Sequence, residues 1–130
     1  MTLRDVLDHL TMTAVALEAK DDQLRLRALL DDQPITDEVI AMAREHKCEL
    51  LAYARFARSA DELLLESTRT LAHAWPRGCQ PEEDDRWHEV ERQLREAYWS
   101  LDLSRLKEAI AAREGVALEI FAAFRRERAV

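Results

Sequence analysis

The sequence predicts a mostly α fold with a small β-hairpin, an αββα docking-like unit followed by a helical hairpin. Three observations predict it. Two glycines and three prolines in 130 residues leave few breakers, while the helix formers Ala, Leu, Glu and Arg crowd the chain. Apolar residues recur at helical spacing over most of its length. One short stretch, 14–27, alternates apolar and polar residues with the period of a strand instead. At 48% hydrophobic and 35% charged the chain is too apolar for a disordered coil, and its length suits one compact domain or two very small ones.

Thr2 stands as an N-cap before Leu3, Val6, Leu7 and Leu10, so residues 2–12 read as a short amphipathic helix. Next, Val15, Leu17, Leu24 and Leu26 fall on one face of a two-stranded hairpin and Ala16, Glu18, Arg25 and Arg27 on the other, with Lys20-Asp21-Asp22 as the turn. Two strands alone are marginal in water, so the apolar face must lie on helices. Leu29 to Ile35, with Asp31, Asp32 and Pro34, is a connector, and Thr36-Asp37-Glu38 opens a capped helix. Its apolar side runs through Val39, Ala43, Leu50 and Phe56, with a bend expected near His46-Lys47. Ser59 and Glu62 have the form of a capping box, which opens a second helix towards Trp75 unless 36–75 is one continuous helix.

Pro76-Arg77-Gly78-Cys79-Gln80-Pro81 is the clearest punctuation. Beyond it, Trp87, Val90, Leu94, Ala97, Tyr98 and Leu101 mark one helix face, opened by Pro81 and the acidic run Glu82 to Asp85. Leu103, Leu106, Ile110, Ala117, Ile120, Phe121 and Phe124 mark another, and the short break at Ser100-Leu101-Asp102 makes the two an antiparallel hairpin. Gly115 inside the last helix is expected to mark a close helix approach. The domains expected are a docking-like αββα domain over 1–57 and a helical extension over 58–130.

Charge and motifs exclude several functions. The net charge of −7, with both halves acidic, argues against nucleic acid as a partner, because such binding relies on Lys and Arg replacing counterions. No apolar run reaches the roughly 18 residues of a membrane span, and Asp5, Asp8 and His9 stand where a signal peptide is apolar. A cytoplasmic chain without a membrane partner is therefore expected, and Cys48 and Cys79 are expected as free thiols. No nucleophile–base pair or carboxylate pair stands at recognisable spacing, so the chain is expected not to be an enzyme and to use no cofactor. Asp85 and His88, or His73, Cys79 and His88, are the nearest approach to a metal set, and neither matches a known spacing, so no metal is expected.

Residues 1–51 resemble the TubC-type N-terminal docking domain of nonribosomal peptide and mixed polyketide assembly lines. That family pattern is a short helix, a V-x-L strand, an L-R-x-R strand and a Thr-capped helix ending in K-x-E-L-L. Here it stands as Leu7 and Leu10, Val15-Ala16-Leu17, Leu24-Arg25-Leu26-Arg27, Ile35-Thr36 and Lys47-Cys48-Glu49-Leu50-Leu51. The family usually places Gly before the first strand and in the hairpin turn, where this chain has Ala14 and Asp21, and its Pro-x-Gly connector is replaced here by the longer, acidic Leu29 to Pro34. A docking domain usually heads a large synthase, whereas a helical extension follows here. The resemblance implies a noncatalytic adaptor, and a homodimer, whose hairpin accepts a short linear segment of a partner protein.

On that reading the partner segment is acidic and meets Lys20, Gln23, Arg25 and Arg27 on the outward hairpin face. Trp75, Trp87, Tyr98 and Trp99 gather in the second half. Trp87 and Tyr98 lie on the apolar stripe and are expected inside, whereas Trp99 lies one position off it and is a further candidate contact. Leu63-Leu64-Leu65 has apolar residues pointing more than one way, which adds to the expectation of a homodimer. The alternative function is an accessory or regulatory protein of a mobile genetic element, acting on replication, transfer or defence machinery.

Overall fold

The computed structural model describes residues 1–129. In chain order its elements are α1 (Leu3–Met12), β1 (Val15–Lys20), β2 (Gln23–Ala28), α2 (Asp37–Glu45), α3 (Lys47–Ala74), a single 3-10 turn (Pro81–Glu83), α4 (Asp85–Trp99) and α5 (Leu103–Arg128). The fold is mostly helical, with one two-stranded antiparallel sheet. The chain divides into two compact units, Met1–Ala57 and Arg58–Val130.

In the first unit α1 and α2 are each capped by the hydroxyl the sequence offers. Thr2 accepts from Asp5 N–H at 3.2 Å while the Asp5 carboxylate accepts from Thr2 N–H at 2.9 Å, a reciprocal capping box. The Thr2 backbone N–H holds the Asp5 carboxyl below the usual carboxylate range. Thr36 caps α2 by accepting from Val39 N–H at 3.3 Å. Val6 and Leu10 of α1, Val15 of β1, Val39 and Ala43 of α2 and Leu50 of α3 form the core, with Leu17, Leu24 and Leu26 of the hairpin packed against it. The marginal hairpin is thus stabilised by burial of its inner face, as its alternation requires.

Ala14 and Asp21, the two positions where the resembled family carries glycine, both take positive φ, 55° and 56°. An L-residue there loses roughly 1 kcal/mol relative to glycine, less for Asp, whose short polar side chain tolerates this region. Ala14→Gly is therefore expected to raise stability by about 0.5–1 kcal/mol, and Asp21→Gly by less. Urea titration of the two variants checks this, and a loss of stability in Ala14→Gly contradicts it.

The helix that follows Thr36 breaks at His46, which caps α2 with φ −108° and ψ 22°. Leu50 N–H then bonds to His46 C=O at 3.0 Å, so α3 begins at once and runs unbroken to Ala74. Ser59 and Glu62 lie inside α3, so the capping box expected there is not a helix start. Without a breaker before it, the hydroxyl has no free backbone N–H to cap.

The second unit is an up-down-up arrangement of three helical segments. Asp61 pairs with Tyr98 and Trp75 with Trp87, so α4 runs antiparallel to the end of α3. Glu91 and Arg86 of α4 meet Arg113 and Glu119 of α5, again in antiparallel order. Ser67 and Ala74 meet Glu114 and Arg125, so α3 and α5 run parallel. Its core holds Leu71, Trp87, Val90, Ala117, Ile120 and Phe121, with Cys79 closing one end. Gly78 turns the loop at φ 83°, and Asp84 rather than Pro81 caps α4 by accepting from Arg86 N–H at 2.9 Å. Leu101, at φ 57°, makes the α4–α5 turn, and Asp102 caps α5.

One expectation for this unit is corrected. A Cβ added at Gly115 has nothing within 4 Å, so the glycine marks no close approach inside the chain. Of Leu63-Leu64-Leu65, Leu63 and Leu64 are half-buried and Leu65 is exposed, so the triplet does point more than one way.

Candidate docking surface

The register of the hairpin pairs Lys20 with Gln23, Glu18 with Arg25 and Ala16 with Arg27. All six side chains stand on the face away from the core, and Lys20, Gln23, Arg25 and Arg27 are exposed. In an acidic chain this face carries three cations against one carboxylate. Arg25 and Arg27 form no ion pair among the described residues, although Glu18 lies directly across from Arg25.

The phase of the ladder decides what β2 presents at its outer edge. Leu29 N–H donates to Ala14 C=O at 2.9 Å, which makes 14 and 29 a hydrogen-bonded pair. Along an antiparallel ladder such pairs alternate, so 16/27, 18/25 and 20/23 bond across the hairpin. Leu24, Leu26 and Ala28 therefore turn their N–H and C=O groups outward, and among the described residues no third strand receives them. The side chains of Leu24 and Leu26 are half-buried against the core, and Ala28 is exposed.

Arg55 of α3 holds the turn of this hairpin, donating from Nη2 to Asp21 C=O at 2.8 Å and to Asp22 Oδ1 at 3.0 Å. Its side chain is half exposed and that of Asp22 fully so, which makes the ion pair itself worth little. Its role is positional: it ties the strand ends to the helix. Sequence reasoning missed it, because nothing local connects a helical arginine to a turn 33 residues earlier.

Trp99 belongs to the helical extension. It is the last residue of α4 in the second unit, half-buried, with its ring edge-on to Tyr98 at 5.4 Å and 86°. Tyr98 is half-buried rather than inside, because its hydroxyl reaches Asp61 at 3.5 Å. Trp87 is buried, packed edge-to-face on Trp75 at 6.0 Å, and Trp75 donates from Nε1 to Cys79 C=O at 2.9 Å.

The remaining candidates are accounted for locally. His88 Nε2 donates to Glu82 C=O at 2.6 Å, and among the described residues no three His, Cys, Asp or Glu side chains come together to hold a metal. Cys79 is buried, and burial pushes its thiol pKa up, which keeps it a poor nucleophile; Cys48 is exposed, and both are free. Among the described residues no helix is long and apolar enough to cross a membrane. Comparison of the chain with family models, with curated proteins and with solved structures finds no match.

Proposed function

We propose that the chain is a noncatalytic adaptor that docks a short, extended, acidic segment of a partner protein along β2. The observation that carries this is the open β2 edge, with the backbone groups of Leu24, Leu26 and Ala28 facing out beside the exposed Arg25 and Arg27. An added strand satisfies those groups, and its carboxylates at alternate positions lie over the two guanidiniums. The cations also repel a second copy of the same hairpin, so the edge discriminates against self-pairing while favouring an acidic strand. The positive φ at Ala14 and Asp21 supports the resemblance to the TubC-type docking domain, since those are the positions its glycines occupy.

Panning random linear peptides against the full chain tests this. Enriched segments are expected to be extended and acidic, to perturb the amide signals of Leu24–Ala28 on binding, and to bind more weakly as salt shortens the Debye length to about 10 Å at 0.1 M. Arg25→Glu with Arg27→Glu is expected to abolish that binding and leave the fold unchanged, because exposed substitutions shift stability by under about 0.5 kcal/mol. A doubly reversed chain that stays folded by circular dichroism and keeps wild-type affinity sinks the proposal.

A further inference from the structure

The outer face of α5 carries apolar residues that no part of its own unit covers. Ala111, Gly115 and Leu118 are exposed and Ala122 is half-buried, with Leu118 at 50% exposure. They follow one another at steps of four, three and four residues, the spacing of a helix–helix seam. A glycine in the middle of a helix weakens it relative to alanine. Inside the chain nothing requires it, since a Cβ there meets no atom within 4 Å.

The pattern is complementary to itself. A two-fold axis midway between Gly115 and Leu118 sets the two helices antiparallel, with Leu118 of each copy over Gly115 of the other and Ala111 against Ala122. Glu108 and Arg126 lie 18 residues, five full turns, apart and so on one flank of the seam. The same axis brings Glu108 of one copy beside Arg126 of the other, whereas a parallel two-fold pairing sets this flank of the two copies on opposite sides of the seam, where Glu108 and Arg126 do not meet. Glu108 and Arg126 are exposed and form no ion pair among the described residues. On the other flank Arg125 donates to Ala74 C=O at 2.6 Å, which draws it towards α3 and off the seam.

We infer that this face of α5 is the interface between two copies of the chain, packed antiparallel with Leu118 seated on Gly115. This inference is independent of the hairpin reading, and it places the expected dimer contact on α5 rather than on Leu63-Leu64-Leu65.

Sedimentation equilibrium of the full chain is expected to give a concentration-dependent mass rising from the 15.1 kDa monomer to about twice that value. Leu118→Glu is expected to leave the monomer mass, with an unchanged circular dichroism spectrum, and Ala111→Glu gives the same reading should Leu118→Glu fail to fold. Glu108→Arg is expected to weaken the dimer about tenfold, because the contact occurs twice, and adding Arg126→Glu is expected to restore it. Gly115→Ala separates the interface from a helix effect: it raises the unfolding midpoint of the dilute monomer while weakening the dimer. A wild-type chain that stays at 15.1 kDa at all accessible concentrations overturns the inference, as does a Leu118→Glu chain that still dimerises. A charge swap that fails to restore the dimer overturns the antiparallel pairing.

Discussion

Phe121→Ala is expected to lower the stability of the second unit by about 3–5 kcal/mol, the range for deleting a fully buried aromatic ring. Phe121 is 0% exposed and lies 5.1 Å from the Trp75 ring, which in turn meets Trp87 edge-on. Removing it opens a void between α3, α4 and α5 that rings held at both ends cannot collapse to fill. All three tryptophans lie in this unit, so urea unfolding followed by their fluorescence reads its stability selectively. Phe124→Ala is the control: Phe124 is half-buried under the Arg128 guanidinium, 4.6 Å from its centroid, and its loss is expected to be clearly smaller. A Phe121→Ala loss below about 1.5 kcal/mol, or one no larger than that of Phe124→Ala, contradicts this account of the core.

The elements of each unit were largely legible in the sequence, for reasons that are local. Alternation in Val15-Ala16-Leu17 and Leu24-Arg25-Leu26 can bury leucines only as a hairpin, and Thr2 and Thr36 announce helix starts through hydroxyls that reach the next turn. What was not legible depends on partners distant in sequence or on backbone phase. Ser59 and Glu62 form the same local pattern as a true capping box, but the chain before them is already helical. The break at His46, which carries neither glycine nor proline, was legible as a bend near His46-Lys47 but not as the end of one helix and the start of the next. Gly115 looks the same in sequence whether a neighbour approaches it or not. The outward backbone of Leu24 and Leu26 follows from one hydrogen bond, Leu29 to Ala14, that no residue type encodes. Residue type gave the hairpin face to Lys20, Gln23, Arg25 and Arg27, and could not place Arg55 at its turn.

Glu114→Ala is expected to destabilise the second unit by about 1.5–3 kcal/mol, whereas Arg113→Met is expected to be neutral or stabilising. Both residues belong to a polar cluster set between the helices. Ser67, 3% exposed, donates from Oγ to Glu114 Oε1 at 2.7 Å, and Arg113 Nη2 donates to Ser67 Oγ at 3.4 Å. The Arg113 side chain is only 11% exposed, its ion-pair contact to Glu91 is long at 3.8 Å, and its Nε is buried without a hydrogen-bond partner. Deleting the Glu114 carboxylate strips the buried hydroxyl of a charge-assisted acceptor and removes an anion beside a desolvated guanidinium. Replacing Arg113 removes the imperfectly paired charge and leaves the short Ser67–Glu114 bond in place, with the methionine stem filling the space of the arginine's own methylenes. The asymmetry between the two substitutions is the test, because a surface pair loses little from either side. Urea midpoints in which Arg113→Met falls as far as Glu114→Ala show instead that Arg113 is a net contributor to the bundle, held there by Glu91.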